Sequence, residues 1–168
     1  MSTTTGRTIA HAGFTLVRDY PVPVESTWAA FADGEQKRQW FGDSDDWSTG
    51  EWRHDFRVGG RDVAEGTFHD GPHSRYEAEY TSIVEHVRIV TTYNMWIDGR
   101  HISTSVATIE LEPTANGTRL THTEHGAHLD GFDTGAQRET GTDELLDRLA
   151  AFLAPGQDTS VSVPSSTE

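Results

Sequence analysis

A chain of 168 residues is long enough to bury one complete hydrophobic core and short for two, so a single domain is expected. Its 27 acidic and 13 basic side chains give a formal charge of −14, which repels phosphate backbones and anionic headgroups and argues against nucleic-acid and membrane partners. The lack of cysteine excludes disulfides, thiolate catalysis and Cys-ligated zinc; with no apolar run near the roughly 20 residues a bilayer requires, a soluble cytoplasmic protein without metal or cofactor is expected.

Residues 1–6 and 155–168 are rich in Ser, Thr, Gly and Pro without apolar period, and are expected to be flexible tails around a domain spanning 7–154. Ile9 to Tyr20 carries Phe14, Leu16 and Val17 and runs into Pro21 and Pro23, the pattern of a strand stopped by proline. The segment PVESTWAAFAD then sets Val24, Trp28 and Phe31 on one helical face, and GEQKRQWFG predicts a second short helix carrying Trp40 and Phe41.

From Gly50 the period becomes two, with Trp52, His54, Phe56 and Val58 alternating against Glu51, Arg53, Asp55 and Arg57, as in a half-buried strand. Turn signals at Gly59-Gly60, Asp70-Gly71-Pro72, Asp98-Gly99 and Asn116-Gly117 separate runs of Val, Ile, Thr and Tyr, which predicts an antiparallel meander of about six strands. Leu145, Leu146, Leu149, Phe152 and Leu153 then form the stripe of an amphipathic helix ending at Pro155-Gly156. That stripe needs a partner, and the concave face of the sheet is the large surface available. The expected class is α+β: a seven-stranded antiparallel sheet wrapped around a long C-terminal helix, with two short helices after strand one.

This order is that of the helix-grip superfamily, which includes the START and birch-pollen-allergen-like proteins. The run Pro23-Val24-Glu25-Ser26-Thr27-Trp28-Ala29-Ala30-Phe31, followed by Arg38-Gln39-Trp40-Phe41-Gly42, resembles the Pro-x-Glu-x-Val-Trp-x-Ala-Phe and Arg-Trp-Trp-Gly signature of the heat-shock-protein ATPase-activator homologues, a branch of the SRPBCC group. Gly59-Gly60, Gly117-Thr118-Arg119-Leu120-Thr121 and the closing helix match further parts of that pattern, so the resemblance spans residues 9–154. Thr27 stands where Val is usual, and Thr142 follows Gly141 where Gly-Trp is common, which would widen the mouth of the grip. The resemblance implies ligand binding in the grip cavity, with catalysis in some members of the wider group. Co-chaperones of the branch carry a separate chaperone-binding domain, for which a chain of this length is expected to have no room.

Strand alternation suggests which side chains face the cavity. A two-residue Asp98-Gly99 turn would set Trp96 opposite His101 and Asn94 opposite Ser103. The parity of Ile109 and Leu111 would turn His101, Ser103, Ser105 and Ala107 inward; that of Leu120 would do the same for His122 and Glu124, leaving Thr121, Thr123 and His125 outside. The candidate ligand-contacting set is Trp52, His54, Phe56, Tyr76, Tyr80, Trp96, His101, Ser103, Ser105, His122 and Glu124. Within it Tyr76, Tyr80, Ser103, Ser105, His122 and Glu124 are expected to line one internal pocket. His122 and Glu124 are also the candidates for a general base with its orienting carboxylate, or for an anchor of a polar ligand group. His122, His125 and His128 have a metal-like spacing, but alternation puts His122 and His125 on opposite faces, and His125 and His128 are read as surface or loop residues.

With no nucleophile singled out, the leading expectation is a binding protein for a hydrophobic or aromatic small molecule, lipid-like or polyketide-like, acting as a monomer or homodimer. The alternatives are a cavity enzyme of cyclase, dehydratase or hydrolase type using His122 and Glu124, or His101 with Ser103, and a co-chaperone-like or regulatory interaction module bearing a large exposed apolar patch.

Overall fold

The computed structural model describes residues 6–42 and 44–155; the expected tails at 1–5 and 156–168 lie outside the described residues. Strand β1 (Ile9–Tyr20) leads into helices α1 (Val24–Ala32) and α2 (Gly34–Lys37) and a π-helical turn, Arg38–Gly42. Strands β2 (Trp47–His54), β3 (Arg61–Phe68), β4 (His73–Val84), β5 (Arg88–Ile97), β6 (Arg100–Thr114) and β7 (Gly117–Leu129) follow, and helix α3 (Gly135–Leu153) closes the fold. The seven strands form one sheet in the order β1-β7-β6-β5-β4-β3-β2, every neighbouring pair antiparallel. The α+β helix-grip class expected from the sequence is the observed one.

Pro23 begins α1 with its fixed φ, and Asp33 ends it and caps α2 by accepting from the backbone of Glu35 and Gln36. The Trp40 indole donates to the Ala30 carbonyl at 2.9 Å, which ties the π-helical turn to α1. Leu146, Leu149 and Leu153 of α3 are buried against Tyr20, Val24, Trp28, Phe31 and Trp40, each leucine supplying roughly 1.5–3 kcal/mol of burial. Tyr20 adds a buried hydrogen bond at 3.0 Å to the Leu146 carbonyl, and Arg18 pairs with Asp143 on the outer side of the helix.

Three local departures move side chains. The β2 strand stops at His54, because Arg57 folds back on the Asp55 carboxylate and the Gly60 amide closes a turn on Arg57; Phe56 still packs inward and Val58 is exposed. The β4–β5 connection, Glu85 to Val87, carries no glycine signal and turns instead on His86 at φ 63°. The β5–β6 hairpin turns on Asp98 and Gly99 at φ 49° and 77°, a left-handed pair suited to a tight hairpin. Three residues later Ile102 bulges from β6, so Trp96 faces His101 as expected but Ser103 pairs with Met95 and Asn94 with Thr104.

Candidate ligand-binding site

The inner face carries two buried polar clusters. The first joins α2 to the sheet: Lys37 Nζ donates to Asp62 Oδ2 at 2.7 Å and to the Tyr80 hydroxyl at 3.2 Å, and Tyr80 donates to the same oxygen at 2.6 Å. His54 Nδ1 lies 3.0 Å from Asp62 Oδ1, outside hydrogen-bond geometry, while His54 Nε2 reaches the Ala32 carbonyl at 3.1 Å. Burial pushes the Asp62 carboxyl up, but the charge of Lys37 and the contacts from His54, Lys37 and Tyr80 outweigh it and hold the group well below the usual carboxylate range. Burial and the same aspartate push the Tyr80 hydroxyl far up, so it serves as a donor.

The second cluster lies under the first turns of α3. Arg138, 9% exposed, donates to the Tyr93 hydroxyl, Ser103 Oγ and Asp133 Oδ2, each at 2.7 Å, and reaches Ser105 Oγ at 3.5 Å. Tyr93 in turn donates to Glu124 Oε1 at 2.6 Å. Burial opposes the charge of Arg138, but Tyr93, Asp133 and Glu124 more than compensate and raise its pKa. Burial and the Glu124 charge raise the Tyr93 hydroxyl, keeping its proton in place. The cluster fits beneath the helix because Gly126 has no side chain: a Cβ there would sit 2.5 Å from Ser105 Oγ.

Aromatic rings connect this cluster to the mouth of the grip. Tyr93 lies 5.0 Å from Tyr76, Tyr76 lies 5.2 Å from Phe41, and Phe41 lies 6.3 Å from Trp52. Trp52, Phe41 and Tyr76 are half-buried. At the other edge of the cluster His122 stacks on Phe14, with Nε2 unpartnered 3.8 Å from Glu124 Oε1; His128 Nδ1, also unpartnered, is 3.5 Å from Asp133.

The structure therefore brings Tyr76, Ser103, Ser105, His122 and Glu124 to one inner region, linked by Tyr93 and Arg138. Tyr80, expected beside them, binds Asp62 in the first cluster with His54 and Phe56, whose ring is 5.0 Å away. Trp96 and His101 are corrections: the Ile102 bulge inverts the parity, and the two rings meet 5.4 Å apart on the outer face, with His101 bonded to Thr104. His128, read as a surface residue, is 3% exposed because β7 runs on to Leu129. Arg138, Asp133, Tyr93, Lys37 and Asp62 were not singled out. The signal for Arg138 was present as Thr134-x-x-Gln137, a capping box that starts α3 at Gly135, well before its apolar stripe begins at Leu145. A surface cleft of about 570 Å³ at the corner of Pro21, Glu25, His86 and Asn116 lies apart from this region, and another of about 530 Å³ by Thr92, Val106 and His125 borders it through Ser105 and Gly126.

A sheet gripping one long helix, with short helices closing one end, defines a member of the SRPBCC superfamily. Residues 21–154 match the family model of the Activator of Hsp90 ATPase homolog 1-like proteins, and the chain belongs to that family. Among solved structures it is similar to protein Mll3558 of Rhizobium loti, with 42% identity, a TM-score of 0.80, and 87% of this chain and 99% of that one covered. An uncharacterized protein of Rhizobium leguminosarum is 33% identical, with a TM-score of 0.83 over 88% of this chain and 97% of the other. An AHSA1-like protein of Aeromonas hydrophila shares the fold at 21% identity and a TM-score of 0.65, over 84% and 91% of the two chains. No curated protein matches the sequence. The folded domain is of a kind that commonly binds hydrophobic ligands, and no helix among the described residues is long and apolar enough to cross a membrane.

Proposed function

We propose that this protein binds a hydrophobic, aromatic small molecule between α3 and the concave face of the sheet. The observation that carries the reading is the line of rings from Trp52 through Phe41 and Tyr76 to Tyr93, which ends on a buried polar cluster with acceptors and donors still open. Apolar walls with a few convergent polar groups are the usual make-up of a small-molecule site. The half-buried rings at the mouth can rotate aside without any strand separating, so entry costs side-chain rearrangement and leaves the sheet intact. The polar cluster fixes which end of the ligand goes in first. Binding holds the native state: a probe at a hundred times its dissociation constant adds about 2.7 kcal/mol, or about 5–10 °C in a domain of this size. Thermal melts of the protein with a panel of fused-ring aromatics, fatty acids and sterols test this directly. Stabilisation by the aromatics, lost in Tyr76→Ala, is the expected result; a panel that leaves the transition unmoved at saturation would overturn the reading.

A further inference from the structure

The charges inside the grip do not balance, and the imbalance says what the ligand must offer. Lys37 is matched by Asp62 at 2.7 Å, and Arg138 by Asp133 at 2.7 Å. Glu124, 3% exposed, has no such cation: its Oε1 accepts from the Tyr93 hydroxyl, and the nearest nitrogen among the ion-pairing groups is His122 Nε2 at 3.8 Å. Oε1 can accept a second hydrogen bond, and a buried, unpartnered imidazole nitrogen 3.8 Å from it is a costly arrangement until something fills the gap.

We infer that the molecule taken up by the grip is a hydroxyarene, an aromatic ring system whose hydroxyl donates to Glu124. The inference rests on the ligand-binding reading above and adds the chemistry of the polar end. A hydroxyl oxygen suits the gap, since one oxygen atom at ordinary hydrogen-bond lengths spans two groups 3.8 Å apart, donating to the carboxylate while accepting from the imidazole. A carboxylate ligand would set a second negative charge against Glu124, with the guanidinium of Arg138 already committed to Tyr93, Ser103 and Asp133. An ammonium could answer the carboxylate but offers no lone pair to an imidazole N–H. The rings of Tyr93, Tyr76 and Phe41 supply the stacking surface for the arene.

The test is calorimetric titration of the full chain with three ligands of one shape: 2-naphthol, 2-naphthoate and 2-naphthylmethylammonium. 2-Naphthol should bind at least about tenfold more tightly than either charged probe, the worth of about 1.4 kcal/mol. Glu124→Gln keeps the volume and the acceptor for Tyr93 but replaces one oxygen by a donor amide; it should bring 2-naphthol and 2-naphthoate to within about threefold of each other. Thr123→Ala, on the outer face of the same strand, should leave all three unchanged. Equal wild-type affinity for naphthol and naphthoate overturns the inference, as does tightest binding of the ammonium or an unaltered preference in a folded Glu124→Gln. If that variant does not fold, the wild-type ratio decides alone. Failure of all three probes to bind counts against the ligand-binding reading itself, whereas binding with the wrong preference removes the hydroxyl assignment and leaves that reading standing.

Discussion

Replacing Arg138 with Met should be among the most damaging single changes in the molecule, although the side chain is charged and Met keeps its length. Arg138 holds three partners at 2.7 Å, in Tyr93, Ser103 and Asp133, while itself almost fully buried. Removing it leaves the Asp133 carboxylate without its cation and the Tyr93 hydroxyl and Ser103 Oγ without their donor. Breaking a buried pair from one side costs about 3–5 kcal/mol, mostly the desolvation of the charge left behind. For a domain of this size that is a fall of about 6–20 °C in melting temperature. The assay is urea unfolding followed by circular dichroism, with Asp133→Asn and the double variant completing a cycle. Because the double variant no longer strands the Asp133 charge, its loss should be smaller than the sum of the single losses by about 0.5–3 kcal/mol. A single-variant loss below about 1 kcal/mol, or strict additivity, would mean that the guanidinium is solvated and does not lock α3 to the sheet.

Three further outcomes follow from the packing. Leu149→Ala removes a fully buried contact of α3 and should cost about 2–5 kcal/mol by urea unfolding; a loss under half a unit would mean the helix does not grip the sheet. Thr134→Ala deletes one side of the capping box and should cost about 0.5–2 kcal/mol, with faster amide exchange in the first turn of α3 than elsewhere in the helix. The Asp62 carboxyl is held below its unfolded value of about 3.9, so its contribution is fully present above that pH and is lost as the pH falls from about 4 through the lower folded value. Asp62→Asn should therefore be less stable than the wild type at pH 7, where it strands Lys37, and the gap should narrow below pH 4; parallel stability curves across that range would contradict the pairing.

Most of the architecture was legible because it rests on periodicity and punctuation. The period-two runs of β2 to β7, the Gly-containing turns and the Leu145 to Leu153 stripe each report a local preference that the tertiary structure keeps. The inward parity of Ser103, Ser105, His122 and Glu124 was legible for the same reason, since each shares a strand face with a buried apolar residue such as Leu111 or Leu120. What escaped lies where a backbone irregularity or a long-range partner decides. The Ile102 bulge has no glycine to announce it, yet it turns Trp96 and His101 to the outer face. Arg138 sits in two polar helical turns, Gly135 to Asp143, that show no apolar face and become helical through their cap and the ion pair beneath them. Lys37, the single lysine, reads as a solvated charge until its partner Asp62, on a strand 25 residues away, is known.

The placement of β1 beside β7 has a consequence for how the molecule is made. Contacts across this pair join groups 108 and 122 residues apart, as between Thr15 and Thr123 or Thr8 and Asp130, whereas every other pair in the sheet is a hairpin between successive strands. The hairpins from β2 to β7 can zip as soon as each turn leaves the ribosome. The first strand to be synthesised must wait for the last, its entire hydrogen-bonding edge unpaired and Val17 exposed throughout. Closing so long a loop is an entropic step taken late and once, so the docking of β1, followed by α3, sets the contact order of the domain and should govern its folding rate.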